Sequence, residues 1–389
     1  MPGMSGARPT SRSLPIDVFS CGWRLPPVAL LLGCAIQILM LAGCGDVPRS
    51  RDFSRENLVR WQATINAAGG NFEAWKEKVR PYHADISGLL NSRPCQIAGI
   101  PGRNGYIFFR RSLEVLLAGD LRLQENGRDP FPAIVNFQRQ LKTRGISLLF
   151  CAIPVKGAVM CEHLSDNAPG PNQPSVNPYT VKLLKELTEA GVECIDLMPA
   201  FTSTARSQGE EPLYMPLDTH WSNLGVRVAA RVFAERIRQF PWYERARGKG
   251  VNYSTRPATC RRRGDIVPML GSRERMKYRP MELAAQQVVD EEGLFYSDTK
   301  TSPIIFLGDS YSSVFHKQDC KHAGITAHIA REIGIPLQLE LSLGGGPEVR
   351  KKLARRGRDA LVGKRLVIWA LSERDLFNYR SPWDIVLMP

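Results

Sequence analysis

Ile304-Ile305-Phe306-Leu307-Gly308-Asp309-Ser310 runs from an unbroken apolar segment into a glycine and two polar residues. An apolar run without polar alternation predicts a strand buried on both faces, the habit of parallel sheets covered by helices. Gly308 permits a sharp turn at the strand end, and Ser310 then stands at the carboxyl edge of the sheet, where open α/β folds bind ligands.

The flanking sequence repeats this grammar. Phe131 to Thr143 has helical period and leads through Gly145 to the apolar run Ile146 to Ile153. Val181 to Ala190 predicts a helix ending at Gly191, followed by a strand over Val192 to Leu197. Downstream come a helix around His322 to Ile333, a strand over Leu337 to Leu341, a helix near Glu348 to Leu361 and a strand over Leu366 to Leu371. Strands alternating with helices predict an α/β fold, a mainly parallel sheet with helices on both faces. Residues 241 to about 300 interrupt the alternation with an Arg-rich, Gly/Pro-containing stretch, read as a surface insertion of the kind that borders active sites. Residues 45–95, polar with scattered aromatics (Trp61, Phe72, Trp75, Tyr82), read as a helical spacer ahead of a body over 96–389.

Residues 1–44 read as a leader. Arg8, Arg12 and Arg24 precede the apolar run Val28 to Met40, which ends in Leu41-Ala42-Gly43-Cys44. A basic region, an apolar stretch and small residues in that order form an export signal, and the final four residues resemble the bacterial lipoprotein box, which implies lipidation of Cys44. A retained membrane anchor is the other reading, since Leu25 to Ala42 nearly spans a bilayer core of about 30 Å. Both place the body outside the cytoplasm, held to a membrane by a lipid or an N-terminal anchor.

Six cysteines follow Cys44: Cys95, Cys151, Cys161, Cys194, Cys260 and Cys320. An even number suits an oxidising compartment, although Cys151 and Cys194 lie in apolar runs and fit plain buried thiols. The cysteines lack Cys-x-x-Cys spacing and the histidines are scattered, so no metal site or cofactor is expected. The formal charge is +14, and +12 without residues 1–44. Such a balance steers anionic partners toward the chain, and export argues against nucleic acid. The basic runs Arg261-Arg262-Arg263 and Lys351-Lys352 read singly as solvated surface.

Ninety residues before Ser310, Asp218-Thr219-His220-Trp221 places an acid and an imidazole two residues apart. Serine is a poor nucleophile near neutral pH, so it needs a base such as His220, and the base needs a partner such as Asp218 to fix its tautomer. Ser222 is placed to cap the following helix, with Leu224, Val228, Val232, Phe233 and Ile237 along one face. Singly, Gly-Asp-Ser also fits a strand followed by a helix cap, and His220 a loop histidine beside Trp221. His316, His322 and His328, on a helix after Ser310, read as structural or exposed.

The acid-His motif ahead of the Gly-Asp-Ser motif resembles the alginate O-acetyltransferase family, whose catalytic domain is SGNH-hydrolase-like. Gly102-Arg103-Asn104-Gly105-Tyr106-Ile107-Phe108, Pro154-Val155-Lys156, Gly344-Gly345-Gly346-Pro347-Glu348-Val349-Arg350 and Ile368-Trp369 with Glu373-Arg374-Asp375-Leu376 resemble further segments of that family. The resemblance covers roughly residues 100–380 and implies a three-layer SGNH-like fold. It also implies a periplasmic enzyme acetylating an exopolysaccharide through acetyl-Ser310, with His220 as base and Asp218 behind it. Gly308, Tyr311, Lys156, Gly345 and Arg350 are the candidate oxyanion or substrate contacts. The implied partners are an anionic polysaccharide acceptor, a membrane-bound acyltransferase supplying acetyl groups, and polysaccharide synthesis and export proteins. Trp369-Ala370 departs from the family in lacking the acid often found after that tryptophan. The same three residues also suit a carbohydrate or peptidoglycan esterase, and the scaffold alone suits a glycan-binding lipoprotein.

Overall fold

The computed structural model describes residues 52–169, 175–207, 211–343 and 345–389. The leader reading and Cys44 lie outside the described residues.

Five strands make the central sheet: β3 (Ser147–Ile153), β4 (Glu193–Cys194), β7 (Ile304–Gly308), β8 (Gln338–Leu341) and β9 (Leu366–Ser372). Their order is β4-β3-β9-β7-β8, and every pairing is parallel. Two antiparallel ribbons complete the strands among the described residues, β1 (Gly99–Pro101) with β2 (Ile107–Phe109) and β5 (Ser254–Arg262) with β6 (Met281–Val289).

The unbroken apolar strands split their side chains between two cores, as the two-residue period of a strand requires. Leu149, Cys151, Ile153, Phe306 and Ile368 pack with Val228, Phe233 and Ile329 from the helices Asn223–Ile237 and Ile325–Ile333. Leu148, Phe150, Leu307, Val367 and Trp369 pack on the opposite face with Phe137, Leu184 and Leu353. The expected α/β architecture, helices on both faces of a parallel sheet, is therefore present.

Three boundaries differ from expectation for identifiable reasons. The strand predicted over Val192 to Leu197 pairs only at Glu193–Cys194, because Asp196 turns the chain: its Oδ1 accepts from Met198 N at 2.9 Å and opens the helix Met198–Ser207. The helix expected after Ser310 is broken at Cys320, Lys321 and His322, which hold φ of 53°, 38° and 51°. The helices Phe53–Ala67 and Phe72–Asn91 are not a detached spacer. Trp61, Trp75 and Val79 belong to the same core as Trp369, while Tyr82, Ile86 and Leu90 belong to the core on the other face. Asn57 Nδ2 donates to the Cys194 carbonyl at 2.8 Å, so the first of these helices also covers the short edge strand. No described helix is long and apolar enough to cross a membrane.

Candidate active site

The carboxyl end of β7 leads into Ser310, and that of β3 into Lys156. Gly308 ends β7, and a Cβ there would lie 2.2 Å from Ser312 Oγ and 2.6 Å from its Cβ, so only glycine lets the helix Ser310–Ser313 start so close to the strand. Asp309 caps that helix through Oδ1, which accepts from Tyr311 N at 2.9 Å. Its Oδ2 accepts from Ser372 N at 2.8 Å and ties the turn to the end of β9. Ser310 itself is partly exposed at the first helical position.

The loop before the helix Asn223–Ile237 brings Asp218 and His220 together. Asp218 Oδ1 accepts from His220 Nδ1 at 2.6 Å and from the His220 amide at 3.1 Å. Asp218 has no exposed surface and His220 only 5%. Burial opposes ionisation of Asp218, but the hydrogen bond and charge of His220, with the charge of Arg262, outweigh it and hold the carboxyl far below the usual carboxylate range. The bond at Nδ1 fixes the imidazole so that Nε2 is the nitrogen left to act as a base. Nε2 is buried and makes no hydrogen bond among the described residues, to Ser310 or any other group. Such contacts commonly tighten only when a substrate is bound.

Tyr311 joins the two motifs. Its ring lies 4.8 Å from that of His220, its OH donates to the Thr219 carbonyl at 2.7 Å, and its own carbonyl accepts from Trp221 Nε1 at 3.0 Å. It is buried and packs against His220. The Arg374 guanidinium stands 5.4 Å over the same ring, and its Nη1 is buried without a partner.

The remaining candidates have different places. Lys156 is buried, not at the surface, and its ammonium donates to the carbonyls of Met215, Pro216 and Asp218 at 3.1, 3.0 and 2.7 Å. Burial pushes that ammonium down to about 7, against the pull of Asp218 and Asp265. Lys156 thus braces the loop that carries the acid, with its donors spent there. Arg350 is also buried, against Trp369 and Trp383 at 4.9 and 5.6 Å, and it donates to the Ala133 and Asp384 carbonyls. It belongs to the core on the face opposite the helix Asn223–Ile237. Gly345 N donates to the Ser342 carbonyl at 3.2 Å and Gly346 N to Asp375 Oδ2 at 3.0 Å, so neither amide is spare for an oxyanion.

The insertion contributes residues that the sequence reading left on the surface. Arg262, at the end of β5, donates through Nε to Asp218 Oδ2 at 2.5 Å and through Nη1 to Asp319. Asp265 donates its amide to Asp218 Oδ2 at 2.8 Å and accepts from Thr219 N and Oγ1 at 2.7 and 2.6 Å. Gly264, at φ +86°, allows this approach, since a Cβ there would lie 2.2 Å from the Leu217 carbonyl oxygen. Cys260 and Cys320 form a disulfide, while Cys151, Cys161 and Cys194 are buried free thiols and Cys95 is exposed. The one sequence signal for Arg262 was its position two residues after a cysteine. Asp218, His220 and Asp265 offer ligand atoms within 4.8 Å of one another. The Arg262 cation already offsets part of that charge and occupies Asp218 Oδ2, which does not suit a divalent ion.

Comparison with known proteins bears on the family and the fold. The probable alginate O-acetylase AlgJ of Pseudomonas aeruginosa is 24% identical over 228 residues, 54% of this chain and 54% of that protein. Its counterpart from Pseudomonas syringae pv. tomato is 24% identical over 138 residues, 36% of this chain and 33% of that protein. The chain thus spans about half or less of the length of these curated relatives. In fold it is similar to the O-acetyltransferase domain of Pseudomonas putida AlgJ, with a TM-score of 0.54 and 19% identity over 72% of this chain and 92% of that one. It is also similar to Pseudomonas aeruginosa AlgX, with a TM-score of 0.51 and 17% identity over 70% of this chain and 62% of that one. Residues 100–373, well over half of the chain, match the family described as SGNH hydrolase-like domain, acetyltransferase AlgX, and the chain belongs to that alginate O-acetyltransferase family.

Proposed function

We propose that the protein moves an acetyl group through Ser310 to hydroxyls of an anionic exopolysaccharide such as alginate. The observation that carries this reading is the buried Asp218–His220 pair, 2.6 Å apart, with an unpartnered Nε2 and an imidazole ring 4.8 Å from that of Tyr311, the residue after Ser310. Ser310 Oγ attacks the carbonyl carbon of an acetyl donor while His220 Nε2 takes its proton. The imidazolium, stabilised by Asp218, gives that proton to the departing group, leaving acetyl-Ser310. A sugar hydroxyl then loses its proton to Nε2 and attacks the acetyl carbon; the bond to Ser310 Oγ breaks, the imidazolium returns the proton to that oxygen, and an O-acetylated sugar leaves. The Ser310 amide, first in its helix, is the donor nearest in sequence to the developing oxyanion.

Water attacking the same intermediate would give free acetate, so the position of the acceptor decides the outcome. Effective molarities of roughly 10⁵ M show how strongly a held hydroxyl outcompetes solvent. Arg261 at the end of β5 and Arg263, Arg273, Arg275, Lys277 and Arg279 on the connection that also carries Asp265 to the site are exposed, and they favour a polyanion. The leader reading and the Cys260–Cys320 disulfide support a periplasmic location with the chain held to a membrane. In this reading a membrane-bound acyltransferase supplies the acetyl groups, and polysaccharide synthesis and export proteins are its neighbours.

The test supplies the purified protein with a chromogenic acetyl ester and a panel of anionic and neutral oligosaccharides, scoring acetylated sugar against free acetate by mass. Acetyl gain on anionic sugars that disappears with Ser310→Ala is the expected result. Ser310-dependent acetate with no acetylated sugar would make the protein an esterase, and turnover indifferent to Ser310→Ala would remove the serine mechanism.

A further inference from the structure

We infer that Arg262 is a positioning residue for the Asp218–His220 pair and that the Cys260–Cys320 disulfide holds it in place. The inference rests on the proposed reading of Ser310, His220 and Asp218. Asp218 is fully buried, and its two oxygens are divided: Oδ1 takes the His220 ring, and Oδ2 takes Arg262 Nε at 2.5 Å with the Asp265 amide at 2.8 Å. The guanidinium is the only Lys or Arg group that bonds this carboxylate among the described residues. Lys156 approaches from the other side, but its three donors are spent on backbone carbonyls.

Arg262 reaches this position from the end of a ribbon whose outer residues face solvent. Two ties hold that end. The Cys260–Cys320 bond joins the ribbon to the segment behind the helix Ser310–Ser313, bridging 60 residues of sequence. The Arg262–Asp319 ion pair lies beside it, since Arg262 follows Cys260 by two positions and Asp319 immediately precedes Cys320. A planar guanidinium serves both acids at once, which a lysine ammonium on a flexible stem does less well.

The chemical consequence concerns the base. Asp218 divides its charge between the His220 ring and Arg262. Without Arg262, the whole carboxylate charge falls on His220. The other charges around the pair are Asp265 beside Nδ1, Asp319 behind Arg262, Lys156 behind the Asp218 carbonyl, and Arg374 across the Tyr311 ring. All of them remain when Arg262 is neutralised, so the acid limb of the rate profile should move to higher pH.

The test uses the full chain with a chromogenic acetyl ester, measuring kcat, KM and the pH profile for Arg262→Gln, Arg262→Lys, the double variant Cys260→Ser/Cys320→Ser, and Ser310→Ala. Arg262→Gln should lower kcat about tenfold or more, with the acid limb moved up and KM within about twofold. Arg262→Lys should recover part of kcat, and the double serine variant should shift kcat and the acid limb in the same direction as Arg262→Gln. If Ser310 is required while Arg262→Gln keeps wild-type kcat and acid limb, the inference falls and the proposed function stands. The inference falls in the same way if the loss of kcat only tracks the fraction of folded protein seen by near-UV circular dichroism. If Ser310→Ala retains full turnover, the proposed function falls and the inference with it.

Discussion

Lys156 Nζ donates a 2.7 Å hydrogen bond to the main-chain carbonyl of Asp218, so a lysine just beyond the end of β3 fixes the backbone of the acid two positions before His220. Its other two acceptors have alternatives: the Met215 carbonyl also takes the Asp218 amide at 3.3 Å, and the Pro216 carbonyl takes the Ile107 amide at 2.9 Å. The Asp218 carbonyl depends on the lysine. Lys156→Met keeps most of the side-chain volume and removes the donors. An unpaired buried carbonyl costs about 1–3 kcal/mol, so the variant should melt several degrees lower and lose turnover as the Asp218 loop relaxes. Thermal melts paired with steady-state kinetics check this, and unchanged values in both would show that the tether is dispensable.

Gly308 and Ser312 form a second such contact. Gly308→Ala places a methyl group 2.2 Å from Ser312 Oγ and 2.6 Å from its Cβ, which forces the helix Ser310–Ser313 away from β7. Overpacking of this kind costs about 1–3 kcal/mol, and the displaced element carries Ser310, the proposed nucleophile, so turnover should fall further than stability alone explains. Adding Ser312→Gly removes both clashing atoms and should restore activity to Gly308→Ala. Failure of that rescue would mean that the glycine serves the turn itself and not this contact.

The fold was readable because its strands are apolar on both faces and its helices keep a 3.6-residue period; neither signal depends on distant residues. Asp218, His220 and Ser310 were readable because each sits in a short local motif beside a strand end or a helix cap. Arg262 and Asp265 were not. They reach the site only through the pairing of β5 with β6 and a disulfide across 60 residues, and a basic run looks alike in sequence whether it faces water or a buried carboxylate. Lys156 was misplaced for a related reason: periodicity does not say that an ammonium will find three carbonyls from residues 215–218.

The acid side of the stability profile should report Asp218. Its folded pKa lies below the unfolded value of about 3.9, so the unfolded chain binds more protons at low pH. The contribution is present above about pH 4 and is lost as pH falls below it toward the folded value. Asp218→Asn removes this term, so the variant should melt lower at neutral pH and lose less stability on acidification than the wild type. It should also lower kcat by up to about 10⁴-fold, because an amide favours the wrong imidazole tautomer. Melting temperature against pH for both proteins checks the first claim; parallel curves would place the acid sensitivity elsewhere.

Arg350 supplies the contrasting case. The sequence offers it as an acceptor contact, whereas the structure buries its guanidinium against Trp369 and Trp383, where burial pushes it down to about 10. Its two hydrogen bonds are long, at 3.3 Å each, and its Nε has no partner. Arg350→Met gives up those bonds and a stacking term of about 0.5–2 kcal/mol, but it also relieves the cost of burying a cation, and such exchanges are often close to neutral. The variant should therefore keep its melting temperature within a few degrees, with kcat and the KM for an anionic acceptor unchanged. A raised KM for that acceptor with normal melting would return Arg350 to the binding surface, because a residue confined to the core has no route to a substrate constant that leaves stability untouched.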